Sequence, residues 1–193
     1  MAPGAIVNEL CDIPLKGISM QYNFLSPFSK DTVVFNDRQY IFNKSKFKFK
    51  KCTQSIKLNL SRTYTSKPLV YFNNEILFPE IALVNLFKNN NWNAFWIDSF
   101  HKKLWDTMPA NNELSEIPMG AFLIFSKLTI EKNIFSQGAW DIFAWYGDDY
   151  LFVECKGIPS KDKIRKTQLQ FFKKSIKNGL KKENFLILEW DYE

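Results

Sequence analysis

Two acidic residues and a lysine on a predicted β-hairpin form the first arrangement in this sequence that suits chemistry. Two runs read as strands, residues 139–146 and 149–156, and Gly147-Asp148 links them as a type II′ turn would. This turn fixes a register in which Asp141 lies directly opposite Glu154, with both side chains on one face. Alternation along the second strand places Lys156 on the same face as Glu154. We therefore expect two carboxylates and one ammonium group to converge on one patch.

Opposed carboxylates repel each other, so the hairpin needs either a protonated acid or a bound cation at this place. Carboxylates together with carbonyl groups and water suit hard ions such as Mg²⁺ or Mn²⁺. In the alternative interpretation, Lys156 forms a salt bridge with Glu154, and Asp141 lies exposed at an edge of the sheet. The pair alone leaves both interpretations open.

A basic amphipathic helix is predicted after the hairpin, from residue 162 to residue 178, with Gly179 ending it. Its apolar arc includes Gln168 and Arg165, and polar groups on a buried side need partners. Both lie near the expected carboxylate pair, although Gln168 could equally cap a strand carbonyl. Three lysines point away from this arc: Lys166, Lys173 and Lys177.

An earlier helix is predicted to begin at Pro79, where the missing N–H costs nothing, and to end at the run Asn89–Asn91. Glu80 shares a face of this helix with Leu83, Val84 and Phe87. An acid in a first helical turn is favourable in its own right, so a metal-binding role is one of two explanations for Glu80. Three further segments follow: a strand at 92–97, an unclear stretch with short helical turns at 99–118, and an apolar helix at 119–131.

The residue inventory excludes several kinds of site. The chain of 193 residues has a single histidine, His101, which excludes sites built from several histidines. The seven glycines form no phosphate-binding loop, and the three cysteines have no CxxC spacing. His101 and Asp98 are expected to be a locally hydrogen-bonded residue and a turn residue. Carboxylates and lysines therefore remain as the groups for catalysis.

Composition and charge indicate one globular domain with a basic surface. Hydrophobic residues make up 46% of the chain, and no apolar run reaches the ~18 residues of a membrane span. We therefore expect a soluble, cytoplasmic protein with no membrane partner. The net charge is +6, and nine basic residues against one acid between Gly157 and Lys182 give that window +8. Such a field suits nucleic acid, although a solvated lysine-rich face is an equal explanation.

Residues 1–68 are predicted to form a β-rich N-terminal extension. Residues 31–43 read as a hairpin around Asn36-Asp37. Phe47 and Phe49 then alternate with lysines, which predicts a strand with one apolar and one basic face. The basic face could contact phosphates, but an edge strand kept soluble by its lysines is the favoured interpretation.

The order of these features resembles the PD-(D/E)xK nuclease superfamily, and specifically its VRR-NUC-like branch. The matching residues follow in chain order: Glu80, Trp140-Asp141, Glu154-Cys155-Lys156-Gly157 and the stretch from Asp162 to Gln168. The resemblance spans about residues 75–192. Trp140 stands where the family often has proline, and Cys155 stands where an aliphatic residue is commoner.

The resemblance implies an α/β, restriction-endonuclease-like core at residues 69–193, in which helices flank a mixed central sheet. It implies a Mg²⁺- or Mn²⁺-dependent nuclease, most readily for DNA. Glu80, Asp141, Glu154 and the Cys155 carbonyl would hold the metal. Lys156 would orient the attacking water and Gln168 would hold Lys156 or the water. Four basic residues would contact nucleic acid: Arg165, Lys166, Lys173 and Lys177. The alternatives are a non-catalytic nucleic-acid-binding module that retains the fold and a purely structural partner domain.

Overall fold

The computed structural model of the protein describes residues 24–25, 29–53, 60, 62–109, 119–128 and 138–193. Within these residues the fold is mixed α/β, as expected. The helices are α1 (Pro79–Asn89), α2 (Met119–Leu128) and α3 (Lys166–Lys177). The strands are β1 (Ser29–Phe35), β2 (Arg38–Lys51), β3 (Val70–Phe72), β4 (Glu75–Leu77), β5 (Asn93–Asp98), β6 (Lys103–Trp105), β7 (Ile142–Tyr146), β8 (Asp149–Gly157) and β9 (Phe185–Tyr192). In this described part of the chain, no helix has the length and apolar character to cross a membrane.

The described strands form one mixed sheet in the order β4-β3-β2-β9-β8-β7-β5-β6, and β1 pairs with β2. Strand β9 runs parallel to both of its neighbours, β2 and β8. The other pairs are antiparallel. The centre of the sheet is therefore the group β9, β8 and β7, which includes the hairpin with the predicted site.

Alternation along the central strands divides their side chains between two cores. Leu151 and Val153 of β8 pack in one core with apolar residues of α1, such as Leu83. Phe152, between them in sequence, packs in the other core with Phe125 of α2 and residues of α3. Helix α1 thus covers one face of the sheet, and α2 and α3 cover the other.

The turn residues predicted both hairpins correctly. Phe35 pairs with Arg38, and the linking Asn36 and Asp37 have φ of 49° and 58°, as a type I′ turn requires. Tyr146 pairs with Asp149 across a turn whose Gly147 has φ of 56°. The register of the β7–β8 hairpin is therefore the one that the sequence predicted.

Two expectations from the sequence are wrong, and a third holds for only part of a strand. Strand β2 pairs on both sides near its two ends, with β1 up to Lys44 and with β3 at Lys50 and Lys51, but between them the stretch with Phe47 and Phe49 has β9 as its one partner among the described strands. Helix α3 begins at Lys166 rather than at residue 162. The stretch after β5 contains strand β6, which pairs with β5 and which the sequence did not indicate.

Two further predictions concern helix α2 and the boundary between the N-terminal extension and the core. Helix α2 is present as expected to Leu128, but residues 129–131 of the predicted helix lie outside the described residues, as do residues 110–118. The domain boundary at residue 68 stays a prediction. Strand β2 nevertheless pairs with β9 from Asn43↔Leu186 to Phe49↔Tyr192, so the sheet is continuous across that boundary.

Candidate active site

The β7–β8 hairpin brings Asp141 beside Glu154. Strand pairing ends at Ile142↔Val153, and Asp141 is the next residue outward. Its Oδ2 accepts a hydrogen bond from the Cys155 backbone N at 3.0 Å, and its carbonyl accepts one from Ile97 N at 2.7 Å. Asp141 is therefore fixed at the end of β7 by both neighbouring strands, β8 and β5.

Glu154 is fully buried and holds two side chains of the predicted site. Its Oε1 lies 2.7 Å from Lys156 Nζ and accepts a hydrogen bond from Gln168 Nε2 at 2.5 Å. The salt bridge of the alternative interpretation is thus present, but Asp141 is half-buried rather than exposed. Gln168 does not cap a strand carbonyl through its amide nitrogen, because that nitrogen donates to the Glu154 carboxylate.

Gln168 also joins helix α3 to the site. Its Oε1 accepts a hydrogen bond from the Arg165 backbone N at 2.8 Å, which satisfies a donor at the helix N-terminus. Trp140 Nε1 donates to the Gln168 carbonyl at 3.2 Å. The first turn of α3 is therefore held against the strand ends that carry Asp141 and Glu154.

Burial and a neighbouring acid raise the pKa of each of the two carboxyl groups. Burial raises the pKa of Glu154 well above its usual value and Asp141 adds to this, while Lys156 opposes it. Burial raises the pKa of Asp141 too, with Glu80 adding and Lys156 opposing. Burial lowers the pKa of Lys156, but Glu154 outweighs this and the net pKa is raised. The site therefore favours either an extra proton or an added cation.

The donor atoms of this site fit a hard divalent cation. Glu154 Oε2 and Glu80 Oε2 are buried and have no hydrogen-bond partner in the structure, which is costly unless something else binds there. Among the described residues, no three or more His, Cys, Asp or Glu are grouped closely enough to hold a metal. The fit is therefore to two carboxylates, Asp141 and Glu154, completed by a carbonyl or water rather than by a third acid.

The backbone carbonyl of Cys155 suits such an ion better than its thiol does. Burial and the nearby acids raise the pKa of the thiol well above the usual value, which favours the protonated sulfur in the metal-free protein. A metal-ligating cysteine needs the thiolate form. The carbonyl role of Cys155 stays a prediction.

Glu80 lies in the first turn of α1, and its partner is a residue that the sequence did not single out. Lys67 Nζ forms an ion pair and hydrogen bond with Glu80 Oε1. The same ammonium lies 4.6 Å from the centre of the Trp96 ring and 5.7 Å from that of Phe78. Lys67 belongs to no helix, strand or motif, so neither periodicity nor spacing could have indicated it.

A cleft of about 550 Å³ opens onto Asp141. Its charged lining residues include Lys67, Glu80 and Arg165. Arg165 is exposed, so its predicted position on the buried side of α3 is wrong. This follows from the late start of the helix, since Arg165 is its N-cap and not part of its apolar arc. A second cleft, of about 720 Å³, is lined by Lys156 together with Lys44, Lys161 and Lys163, among other residues.

The three predicted outward lysines of α3 differ in their surroundings. Lys177 is exposed as expected. Lys173 is half-buried, and its ammonium lies 4.7 Å from the centre of the Phe35 ring and 4.8 Å from that of Tyr40. Lys166 is exposed and lies 5.8 Å from the Phe35 ring centre. The expectation that all three project freely is therefore wrong for Lys173, and their contact with nucleic acid stays a prediction.

A polar network lies at the end of β5, beside the same cleft. Asp98 is buried and accepts a hydrogen bond from Tyr64 OH at 2.6 Å. His101 Nδ1 lies 2.6 Å from the same carboxylate, and His101 Nε2 lies 2.8 Å from Thr63 Oγ1. His101 is thus locally hydrogen-bonded, as expected, whereas Asp98 does more than end a strand. It joins β5 to the segment that precedes Lys67.

The structure thus groups Asp141, Glu154, Lys156 and Gln168, and it places Glu80 with Lys67 beside them. Comparisons of this chain with protein-family models, with curated proteins and with solved structures found no match.

Proposed function

We propose that this protein is a metal-dependent nuclease that hydrolyses phosphodiester bonds, with DNA as the favoured substrate. One observation carries the proposal: the buried Glu154 carboxylate holds both Lys156 and Gln168, and Asp141 stands beside it. A purely structural salt bridge would need only Lys156 and Glu154 and would not explain the presence of Asp141. A second acid next to buried oxygens without a partner is costly unless a shared proton or a cation satisfies them, and we propose the cation.

Asp141 and Glu154 would hold Mg²⁺ or Mn²⁺, with the Cys155 carbonyl as a further ligand. Such an ion supplies polarisation of the scissile phosphate and a lowered pKa of bound water. Gln168 fixes the rotamer of Glu154 through its hydrogen bond. Lys156 stays protonated and can orient the attacking water and offset the negative charge that develops on the phosphate.

Charge supports nucleic acid as the substrate. The chain carries a net charge of +6, and exposed basic residues such as Lys161, Lys163 and Arg165 lie around the two clefts that reach Lys156 and Asp141. Lysine and arginine side chains bind phosphates by displacing counterions, without regard to sequence. The acids of the site alone would repel a polyanion, so these residues would supply the attraction.

The test is incubation with single-stranded, duplex and flapped DNA and with RNA, in Mg²⁺, Mn²⁺ or EDTA. We expect cleavage with either metal and none in EDTA, with Glu154→Gln inactive and the exposed Glu75→Gln active as the matched control. Lys156→Ala should lower the single-turnover rate by roughly 10²–10³, the effect of losing one pre-organised charge. Lys156→Arg should not restore the rate, since a planar guanidinium does not replace a compact ammonium.

Two results would count against the proposal. Equal cleavage by the parent and Glu154→Gln would place the activity elsewhere. Metal-independent DNA binding without cleavage of any substrate would instead favour the non-catalytic binding module.

A further inference from the structure

Lys67 is held in place by contacts on several sides. Its ammonium pairs with Glu80 and lies over the faces of Trp96 and Phe78. Its side chain is about one quarter exposed, at 27%, and lines the cleft that also contains Asp141. A cation over an aromatic face is attracted by the ring and cannot hydrogen-bond to water on that side. Lys67 is therefore a positioned charge rather than a mobile surface lysine.

The backbone that carries Lys67 is tied to the same strand end as Asp141. Lys67 N donates to Tyr64 O at 3.0 Å, and Tyr64 OH donates to Asp98 at the end of β5. The residue before Asp98, Ile97, donates its N–H to the Asp141 carbonyl. This chain of hydrogen bonds fixes the position of Lys67 relative to the candidate metal ligand.

The charge of Lys67 persists in this environment. Its ammonium is ion-paired with the Glu80 carboxylate, and this pairing favours the charged form of both groups. The Oε1 of Glu80 accepts a hydrogen bond from the Lys67 ammonium group. A divalent ion at Glu80 would have to displace or closely approach this positive charge, and like charges at such distances repel strongly.

Resting on the proposed nuclease function, we propose that Lys67 is a built-in cation of the site. It takes the place beside Glu80 and Asp141 that a second divalent ion would occupy. The site then binds a single divalent ion, at Asp141 and Glu154. Glu80 forms an ion pair with Lys67 and is not a metal ligand.

Charge balance favours this arrangement. Four carboxylates (Glu80, Asp141, Glu154 and Asp162, which lies 3.3 Å from Lys156 Nζ) and two ammonium groups (Lys67 and Lys156) leave two negative charges when all are ionised. One divalent ion therefore neutralises the site, which removes its repulsion toward an entering phosphodiester anion. Two divalent ions would leave two positive charges beside Lys67, and their repulsion would oppose binding of the second ion.

The test counts Mn²⁺ bound to the whole protein without nucleic acid, by calorimetry and by electron paramagnetic resonance of free Mn²⁺. We expect one ion for the parent and a second, weaker ion for Lys67→Met, which keeps the apolar contact with Trp96 but frees Glu80. Lys67→Arg keeps the charge and should still bind one ion. Lys88→Met removes another paired lysine, which bonds to Asp106 at 3.0 Å, and should also leave one ion.

A second variant tests Glu80 directly and does not depend on how well Lys67→Met folds. Glu80→Gln should change the affinity for Mn²⁺ by less than about threefold, because only a neighbouring charge is lost. Asp141→Asn should weaken it far more, because a ligand is lost. Two ions on the parent, or one ion on a folded Lys67→Met, would overturn the inference while the nuclease proposal stands. No Mn²⁺ binding to the parent at all would overturn both.

Discussion

The Glu154 carboxylate is buried, and two donors, Lys156 and Gln168, share its Oε1. A buried carboxylate is tolerated only when it is paired and hydrogen-bonded. Its Oε2 lacks a partner, and Asp141 stands next to it. This arrangement lowers the stability of the metal-free protein and favours a ligand that satisfies both acids.

The raised pKa of Asp141 predicts how stability depends on pH without metal. Its pKa is higher in the folded than in the unfolded protein, through burial and Glu80. The folded state therefore binds more protons, and stability falls as pH rises above the unfolded value of about 4. Asp141→Asn removes this loss, so its melting temperature in EDTA should rise relative to that of the parent as pH increases.

Thermal unfolding between about pH 4 and pH 8 measures this difference. Asp148→Asn, in the exposed β7–β8 turn, is the matched control and should follow the parent. Excess Mn²⁺ should reverse the order, because the parent alone keeps both metal ligands and a ligand stabilises the state that binds it. A difference in melting temperature between Asp141→Asn and the parent that stays constant with pH would contradict the raised pKa of Asp141.

The sequence predicts the convergence of Asp141, Glu154 and Lys156 because a two-residue turn fixes the register of the hairpin. It also predicts Gln168 near them, since the position of Gln168 on an apolar arc demands a partner. It could not predict Lys67, which reaches the site from an irregular segment through contacts with Glu80 and Trp96. No periodic pattern specifies such tertiary contacts.

At the scale of elements, contacts of the segment before α3 explain why the helix begins later than the sequence predicts. The sequence predicts a helix from residue 162. In the structure the Asp162 carboxylate lies 3.3 Å from Lys156 Nζ, and Lys161 has φ of 53° in the preceding turn. The helix begins four residues later, where Gln168 binds the Arg165 backbone N. The contacts of Asp162 with Lys156 and of Gln168 with Arg165 thus determine where α3 begins, rather than the local helix-forming pattern of the sequence.

Gly138 determines how closely α3 approaches the segment before β7, which includes Asp141. It has φ of +89°, and a Cβ built on it would collide with the Thr167 carbonyl in the first turn of α3. We expect Gly138→Ala to lower the free energy of unfolding by more than about 1 kcal/mol, because both the conformation and the space require glycine. It should also weaken Mn²⁺ binding, since displacing α3 moves Gln168 away from Glu154.

Gly120→Ala in α2 is the matched control, because a Cβ there meets nothing within 4 Å. Alanine in a helix is favoured over glycine, so this variant should be equally or more stable than the parent. Chemical denaturation and calorimetry of both variants provide the measurements. Equal stability of Gly138→Ala and the parent would show that α3 is not held at this contact.

At the scale of the whole molecule, the parallel pairing of β2 with β9 joins the two ends of the described chain. The sequence predicts a strand around Phe47 and Phe49, but nothing local specifies that residues 43–49 pair with residues 186–192. Local sequence likewise does not specify that β1 and β3 pair with the two ends of β2. Exposed lysines give one face of β2 a basic character, and on this face Lys46 and the half-buried Lys44 pair with Glu189 of β9.

Two groups of exposed basic residues differ in their position relative to the site. Lys161, Lys163 and Arg165 line the clefts that reach Lys156 and Asp141. The second group lies at and beyond the C-terminal end of α3, which is about 13 Å along the helix from Gln168, and comprises Lys177, Lys181 and Lys182. Asn184 bonds to the Tyr150 carbonyl near the β7–β8 turn, which places this second group away from Glu154.

If DNA crosses the clefts, the first group should dominate its binding. Replacing Lys161, Lys163 and Arg165 with Gln should flatten the log–log salt dependence of DNA affinity by up to about 2.7, or about 0.9 for each lost phosphate contact. The same replacement of Lys177, Lys181 and Lys182 removes an equal charge, but we expect it to change the slope by less than about 0.9. For Lys177 this expectation, which rests on its distance from the clefts, replaces the sequence-based one that it contacts nucleic acid. Fluorescence anisotropy titrations in EDTA at several salt concentrations separate the two variants without interference from cleavage. Equal changes in slope would mean that DNA responds to net charge alone and does not lie across the proposed site.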